Sequence, residues 1–444
     1  MRRISLLLVC FLLLVSCFSG LVDIARADDA LVLPKGRFRA LVDDYIFLPI
    51  GERYSPQGHP EGLASQFENR RLDSTVFSLL TPLNAFVGNA SIGESNVSFK
   101  YYLNSLALGV QYGLTDRLTV GLRIPYWWAR NRVKVRINSE SGSSANVGVN
   151  TGAAIPITAG TAVLPLTLPG VRRFTTEDIQ QLLGPGLAVG PSVRIPGFGF
   201  KRVESWSGEG LGDIEAGARY QYLRTDDWRL AVTAGVRFPT GRQDDPDDLT
   251  DFPFGMGAYA LLARLHADYT LSNLWKTAAT RGTPALPRTG DLILNGTLRY
   301  DWVLAQKVTK RIPNDVNNPL TTNRERVRLD TGDKFEFEAS GTYYVLDSLS
   351  LSALYRYGFK LEDTVSGHRN LAYHTLEQDT DAKEHLYIVG LTYSTLPLYR
   401  ERRFLLPLAV SLAYRDRFAG SGPRTPYAQV LKSRYINLGL QILF

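Results

Sequence analysis

Residues 436–444 read INLGLQILF, and their alternation sets how the whole chain is read. Ile436, Leu438, Leu440, Ile442 and Phe444 share one face of an extended strand, because successive side chains point to opposite sides. Tyr435, Asn437, Gly439, Gln441 and Leu443 occupy the other. A terminal segment with few contacts usually frays, since nothing offsets the entropy of ordering it. Here the alternation persists to Phe444, as expected of a strand paired along its whole length.

The opposite end, MRRISLLLVCFLLLVSCFSGLVDIARADDA, has the layout of an export signal. Arg2 and Arg3 form a positive start, Ile4 to Val15 an apolar run, and Ala25-Arg26-Ala27 a small-residue cleavage site. The apolar run falls short of the ~20 residues of a spanning helix. Residues 1–27 are therefore read as a signal peptide, with lipidation at Cys17 in Leu14-Val15-Ser16-Cys17 as the alternative. Both cysteines, Cys10 and Cys17, lie in this leader, so cleavage after Ala27 leaves neither thiol nor disulfide. The net charge of +7 is small for 444 residues and is no nucleic-acid footprint. A mean hydropathy of -0.10 does not argue for solubility, because strands alternating lipid-facing and lumen-facing residues average to near neutral.

Working inward, the same alternation recurs at 36–48, 97–112, 117–137, 210–223, 228–239, 255–269, 290–302, 333–345, 349–360, 383–396, 403–416 and 430–444. This makes about twelve strands, an even number that places both ends on one rim of an outer-membrane barrel. A further strand near 72–80 would make about fourteen. Gly113-Leu114-Thr115-Asp116-Arg117, Arg224-Thr225-Asp226-Asp227 and Leu346-Asp347-Ser348 fit tight hairpins. The intervening connections at 138–209, 240–254, 303–332 and 361–382 are long and rich in Gly, Ser, Pro, Asn and Asp. Short turns on one rim and long loops on the other match outer-membrane barrels. Residues 270–289 fit less well, being too long for a turn. Thr175 to Leu183 has a helical signature with Thr175 as N-cap.

Charges keep to one face. Leu349, Leu351, Ala353, Tyr355, Tyr357 and Phe359 oppose Ser350, Ser352, Leu354, Arg356, Gly358 and Lys360; Trp228, Leu230, Val232, Ala234, Val236 and Phe238 oppose Arg229, Ala231, Thr233, Gly235 and Arg237. A soluble sandwich alternates too. Aromatic placement favours the membrane: Tyr112, Tyr222, Trp228, Tyr269, Tyr343 and Tyr393 fall near one rim, and Tyr126, Trp127, Trp128, Tyr300, Trp302, Tyr357 and Tyr414 near the other, as interfacial belts require. The expected fold is all-β, an antiparallel transmembrane β-barrel of the outer membrane of a Gram-negative bacterium. Residues 28–95 supply an N-terminal strand, a loop and a candidate plug, and 96–444 the barrel.

Three stretches, GLTDRLTVGLRIPY at 113–126, GLGDIEAGARYQYL at 210–223 and GVRFPTGRQDD at 235–245, resemble the outer-membrane proteins of the phenol-degradation meta-pathway type. The resemblance covers roughly 96–444. It implies a barrel and, by analogy of fold, uptake of small hydrophobic or aromatic compounds. It brings no catalytic motif.

On the expected lumen face lie Arg123, Arg219, Arg229, Arg237, Arg264, Arg299, Arg356 and Lys360, with Asp213, Glu215, Asp268, Asp301, Glu336 and Glu338. They read as a charge-lined channel or as a plugged interior whose groups neutralise one another. Either way they belong inside, because Arg at the lipid-facing midplane costs ~2–4 kcal/mol. The loop Gln243-Asp244-Asp245-Pro246-Asp247-Asp248-Leu249-Thr250-Asp251 is acidic enough to suggest Ca²⁺, but it lacks the EF-hand spacing and glycine, and the reading is a solvated loop with no metal. His266 and Asp268 share a face as a base and its orienting carboxylate would, without a serine placed to complete a triad. The expectation is a non-enzymatic channel or uptake protein without cofactor. Its partners would be outer-membrane lipid and lipopolysaccharide, the barrel-assembly machinery engaging the strand that ends in Phe444, and a small-molecule solute, but no nucleic acid. A closed binding barrel presenting its loops, and a lipid-modifying enzyme, are the alternatives. The uptake reading predicts that Leu31 to Pro34 tuck into the lumen.

Overall fold

Alternating segments become a wall when each strand finds a partner on both sides. A computed structural model describes residues 28–277, 279–283, 286–316, 318–423 and 429–444. The export signal, its Ala27 cleavage site and the Cys17 alternative lie outside them. Twelve strands, numbered along the chain, form the wall: β1 (Phe38–Phe47), β2 (Ser91–Thr115), β3 (Leu118–Asn138), β4 (Ile214–Arg224), β5 (Trp228–Phe238), β6 (Ala260–Thr270), β7 (Leu292–Val303), β8 (Lys334–Leu346), β9 (Leu349–Lys360), β10 (Ala382–Ser394), β11 (Leu408–Ser421) and β12 (Arg434–Leu443). Each pairs antiparallel with its sequence neighbours, and β1 pairs with β12 from Arg39↔Leu443 to Phe47↔Tyr435. Phe38 and Phe444 exchange backbone hydrogen bonds of 3.2 and 2.8 Å beyond that ladder. The sheet closes on itself. In hydrocarbon an unpaired backbone group costs several kcal/mol, and closure is what removes the edges.

Outward positions carry hydrocarbon to solvent: Leu265 is 54% exposed and Leu351 50%. Inward positions carry Arg229, Arg356 and Glu338, all buried. Phe38 packs on Tyr112 and Trp228 on Tyr269 at the rim of short turns, and Tyr126 on Trp128 at the other. An even, closed, antiparallel barrel with an apolar outer band between two aromatic girdles is an outer-membrane architecture. A soluble sandwich would bury that band.

Several boundaries differ from the sequence reading, for identifiable reasons. Residues 72–80 add no wall strand; Arg71–Asp73 forms a short pairing against β2, and Ser78–Leu83 is a 3₁₀ turn. The segment before β11 begins the strand at Leu408 rather than 403, because Leu396–Arg400 is helical and Arg402 takes φ 60. Trp127 does not join the outer girdle. It alternates inward and meets Phe47 and Phe252 at the mouth. The long connection 270–289 is tethered by Asp291, whose buried carboxylate accepts from Lys276 Nζ at 2.6 Å and from the Arg288 backbone N–H at 2.7 Å.

Above the girdle, β2 and β3 continue together to the Glu94↔Asn138 pair, forming a hairpin that stands clear of the wall. The long loops pack beside it around their own apolar core, which includes Phe77, Leu80, Val147, Phe174, Leu182 and Leu187. Within it α1 (Thr176–Leu183) is started by a full capping box: Thr175 Oγ1 accepts from the Asp178 backbone N–H, and the Asp178 carboxylate accepts from that of Thr175.

Candidate functional site: the lumen and the chamber above it

The barrel interior is occupied by its own N-terminal segment. Residues 28–37 enter from the short-turn rim and place Asp28 among wall arginines. Its carboxylate is ion-paired with Arg219, and with Arg264 at 3.2 Å and Arg299 at 4.0 Å. Asp29 lies 3.3 Å from Arg219. The Ala30 backbone N–H donates to Asp268 at 3.0 Å, its carbonyl accepts from Gln221 Nε2 at 2.6 Å, and the Leu33 N–H donates to Thr119 Oγ1 at 2.7 Å. The segment uses backbone groups, which any sequence has, and two carboxylates, which this one supplies. Gly113 makes its entry possible, since a Cβ there would lie 2.1 Å from the Pro34 carbonyl.

Around Asp28 the wall charges form one connected network. Arg237 bridges Glu215 at 2.7 Å and Asp301 at 2.8 Å. Arg264 reaches from Asp28 to Glu215 at 3.6 Å. Arg299 and Arg356 both hold Glu338, at 3.0 and 2.6 Å, with Glu336 at 3.8 Å from Arg299. Arg123 faces inward beside Glu215 in register and its guanidinium lies 3.4 Å from Tyr45 Oη. Arg229 is buried opposite Asp268. Asp213 sits higher, accepting from the Gly241 and Met256 backbone N–H groups at the loop rim. Lys360, also at that rim, donates to the Thr380 carbonyl.

His266 and Asp268 face the lumen but do not pair. The His266 Nδ1–H donates to the Asp28 carbonyl at 2.8 Å, leaving Nε2 to accept from Thr233 Oγ1 at 2.8 Å. Asp268 is taken by Ala30 and by Asn295 Nδ2 at 2.8 Å. The two residues that resembled a base and its orienting partner are anchors for the segment. The sequence alone does not single out Asp28, the carboxylate on which these arginines converge. The only sequence sign was two carboxylates just past the cleavage motif.

Above this plug lie two cavities. The lower, of 430 Å³, is bordered by Lys334, Glu336, Glu384, Arg417 and Phe335, with Tyr101 at its upper edge. The upper, of 320 Å³, lies beneath the loops and is lined by Leu72, Phe77, Val97, Val135, Ile179 and Leu376, among others. Tyr101 and Gln429 border both. Both cavities mix apolar and charged side chains, the upper one adding Arg53, Arg70 and Arg311 to its apolar lining.

The acidic loop closes over this mouth as an ion-paired strap. Asp244 meets Lys310 at 3.4 Å, Asp245 Lys201 at 2.7 Å, Asp247 both Arg311 and Arg324 at 2.8 Å, and Asp251 Arg242 at 2.6 Å. Burial, reinforced by repulsion from Asp244, pushes the Asp251 carboxyl up to about 7. Among the described residues no group of His, Cys, Asp and Glu is arranged to hold a metal ion.

No protein-family model and no curated protein matches the chain. Among solved structures it is similar to an outer membrane channel from Pseudomonas putida F1, at 15% identity over 95% of this chain and 100% of that one, TM-score 0.48. A Pseudomonas aeruginosa FadL homologue (12%, 96% and 98%, TM-score 0.34) and the CymD monoaromatic hydrocarbon channel (11%, 93% and 88%, TM-score 0.30) are more distant in shape.

Proposed function

We propose that this outer-membrane barrel takes up small solutes, collecting hydrophobic or aromatic compounds in the chamber under its loops and passing them through the charged lumen once the N-terminal segment yields. The observation that carries this reading is the stacking of the two cavities, which share Tyr101 and Gln429 at their boundary. A chamber of 320 Å³ is at the small end of the range for ligand pockets and suits a single-ring compound. The resemblance of residues 113–126, 210–223 and 235–245 to the meta-pathway proteins points to the same solute class. The segment is held by ion pairs and polar contacts, which water can replace when it moves, whereas an apolar plug would resist wetting.

Proteoliposomes should admit a labelled aromatic carboxylate faster than protein-free vesicles. Val135→Trp, which fills the chamber, should slow that entry several-fold. If neither the wild type nor a variant with a released segment admits solute or gives discrete conductance in planar bilayers, the barrel is a closed scaffold and the proposal fails.

A further inference from the structure

The even-numbered face of the β2–β3 hairpin changes character along its length. Low on the wall it presents Leu108, Leu106, Leu122 and Ile124 to lipid. At the girdle it presents Tyr126 and Trp128, the latter 40% exposed. Beyond the girdle the same face carries Lys100, Arg130, Arg132 and Lys134, with Arg136 at the far end, all exposed. Strand rise puts Arg130 about 7 Å past Trp128 and Arg136 about 27 Å past it.

This row is costly in isolation. Lys100 lies directly opposite Arg132, and like charges facing across a strand pair repel. None of the five has a carboxylate within 4 Å among the described residues, whereas Arg219, Arg237, Arg264, Arg299 and Arg356 in the lumen are all ion-paired. Arg132 does lean on the Tyr102 ring, at 5.8 Å. The carboxylates nearest in register are Glu94, at the tip opposite Asn138, and Glu209, opposite Trp128. Glu204, on the adjoining segment, turns to Arg202 at 3.9 Å. Hydrocarbon, then aromatic, then cations in a line on one continuous face is the complement of an amphipathic lipid with a multiply charged anionic head.

We propose that this face is a binding site for the phosphorylated glycolipid of the outer leaflet, lipopolysaccharide, with acyl chains along Leu106 and Leu122 and headgroup phosphates on Lys100, Arg130, Arg132 and Lys134. A soluble polyanion would use the cations but not the apolar wall below them. Guanidinium groups suit phosphate because their planar fork donates two parallel hydrogen bonds.

The test is native mass spectrometry of the detergent-solubilised full-length barrel titrated with rough lipopolysaccharide, its dephosphorylated form, phosphatidylglycerol and inorganic phosphate. Wild type should retain rough lipopolysaccharide, and the variant Lys100→Gln/Arg130→Gln/Arg132→Gln/Lys134→Gln should lose at least about tenfold in affinity, as expected for removal of several phosphate contacts. Its thermal transition should not fall, since the substitutions relieve like-charge repulsion. The dephosphorylated lipid should bind wild type no better than it binds the variant. Should the quadruple variant not assemble, Arg130→Gln/Arg132→Gln serves in its place. Equal retention by variant and wild type overturns the proposal. So does equal competition by phosphatidylglycerol, which would mean a generic anionic surface, or displacement by millimolar phosphate, which would mean a free-phosphate site.

Discussion

The barrel and the loop cap above it have opposite interiors. Inside the wall, Arg219, Arg264, Arg299 and Arg356 meet Asp28 and Glu338, while Leu265 and Leu351 face out. Inside the cap, Phe77, Leu80, Phe174 and Leu182 form a buried apolar core. One chain therefore follows two rules, and the change occurs at the aromatic girdle. Hydrophobic residues go wherever water is absent, which is the outside of the wall and the inside of the cap. The same Asp-Arg chemistry that fills the lumen ties the cap's loops to one another, as Asp247 does with Arg311.

Breaking the polar interior should have the largest effect. Arg219→Ala strips Asp28 of its main partner and leaves a buried carboxylate under-compensated, a loss of about 3 kcal/mol. The segment 28–37 should detach, seen as faster hydrogen exchange there and a larger open-state current. Because Asp28 and Asp29 offset wall arginines, that current should favour anions.

Inverting the outer face comes next. Leu265→Arg places a charge against lipid at the middle of β6 and should destabilise the barrel by ~2–4 kcal/mol in urea titrations in vesicles. In the cap, Arg311→Ala removes donors to the Phe198, Gly199 and Thr321 carbonyls and to Asp247. A loss of about 1.5–3 kcal/mol is expected, confined to the cap and read as proteolysis of the loops with the wall intact. Thr175→Ala should cost the cap only ~1 kcal/mol, by uncapping α1.

The cap also has a pH response. Asp251 titrates at about 7 when the strap is docked, above the ~4 of a free carboxyl. The docked state binds the proton more tightly, so docking is favoured below that unfolded value and weakens as pH rises from ~4 to 7. Protection of residues 244–254 from exchange should be greater at pH 5.5 than at pH 8. Asp251→Asn should flatten the difference.

How much was legible follows the same division. In the wall, lipid punishes every misplaced charge, so the alternation in 349–360 and 228–238 told which side chains face in, Arg356 and Arg229 included. At Trp127 parity overrides residue type: lying between Tyr126 and Trp128, it must face inward, where it meets Phe47 and Phe252. Residues 91–96 went unrecognised as strand because, beyond the girdle, Glu94 and Asn96 need not be apolar. The cap was opaque for a related reason: its core is assembled from segments such as Val147, Ile179 and Leu187 that meet only in three dimensions. Leu31 and Leu33 lie along the segment that contacts Arg219 and Thr119 inside the barrel. Asp28 binds arginines from strands that meet only in the closed wall, and the Ala30 contacts run through backbone groups that leave no trace in sequence.

The seam between Phe38 and Phe444 has a kinetic consequence. It joins the first strand to the last, so it is the most non-local pairing in the molecule, and pairings that close long loops form slowly. Folding of this chain should therefore end at that seam, with the bracelet clasped after its other links are made and Asp28 already threaded within the ring.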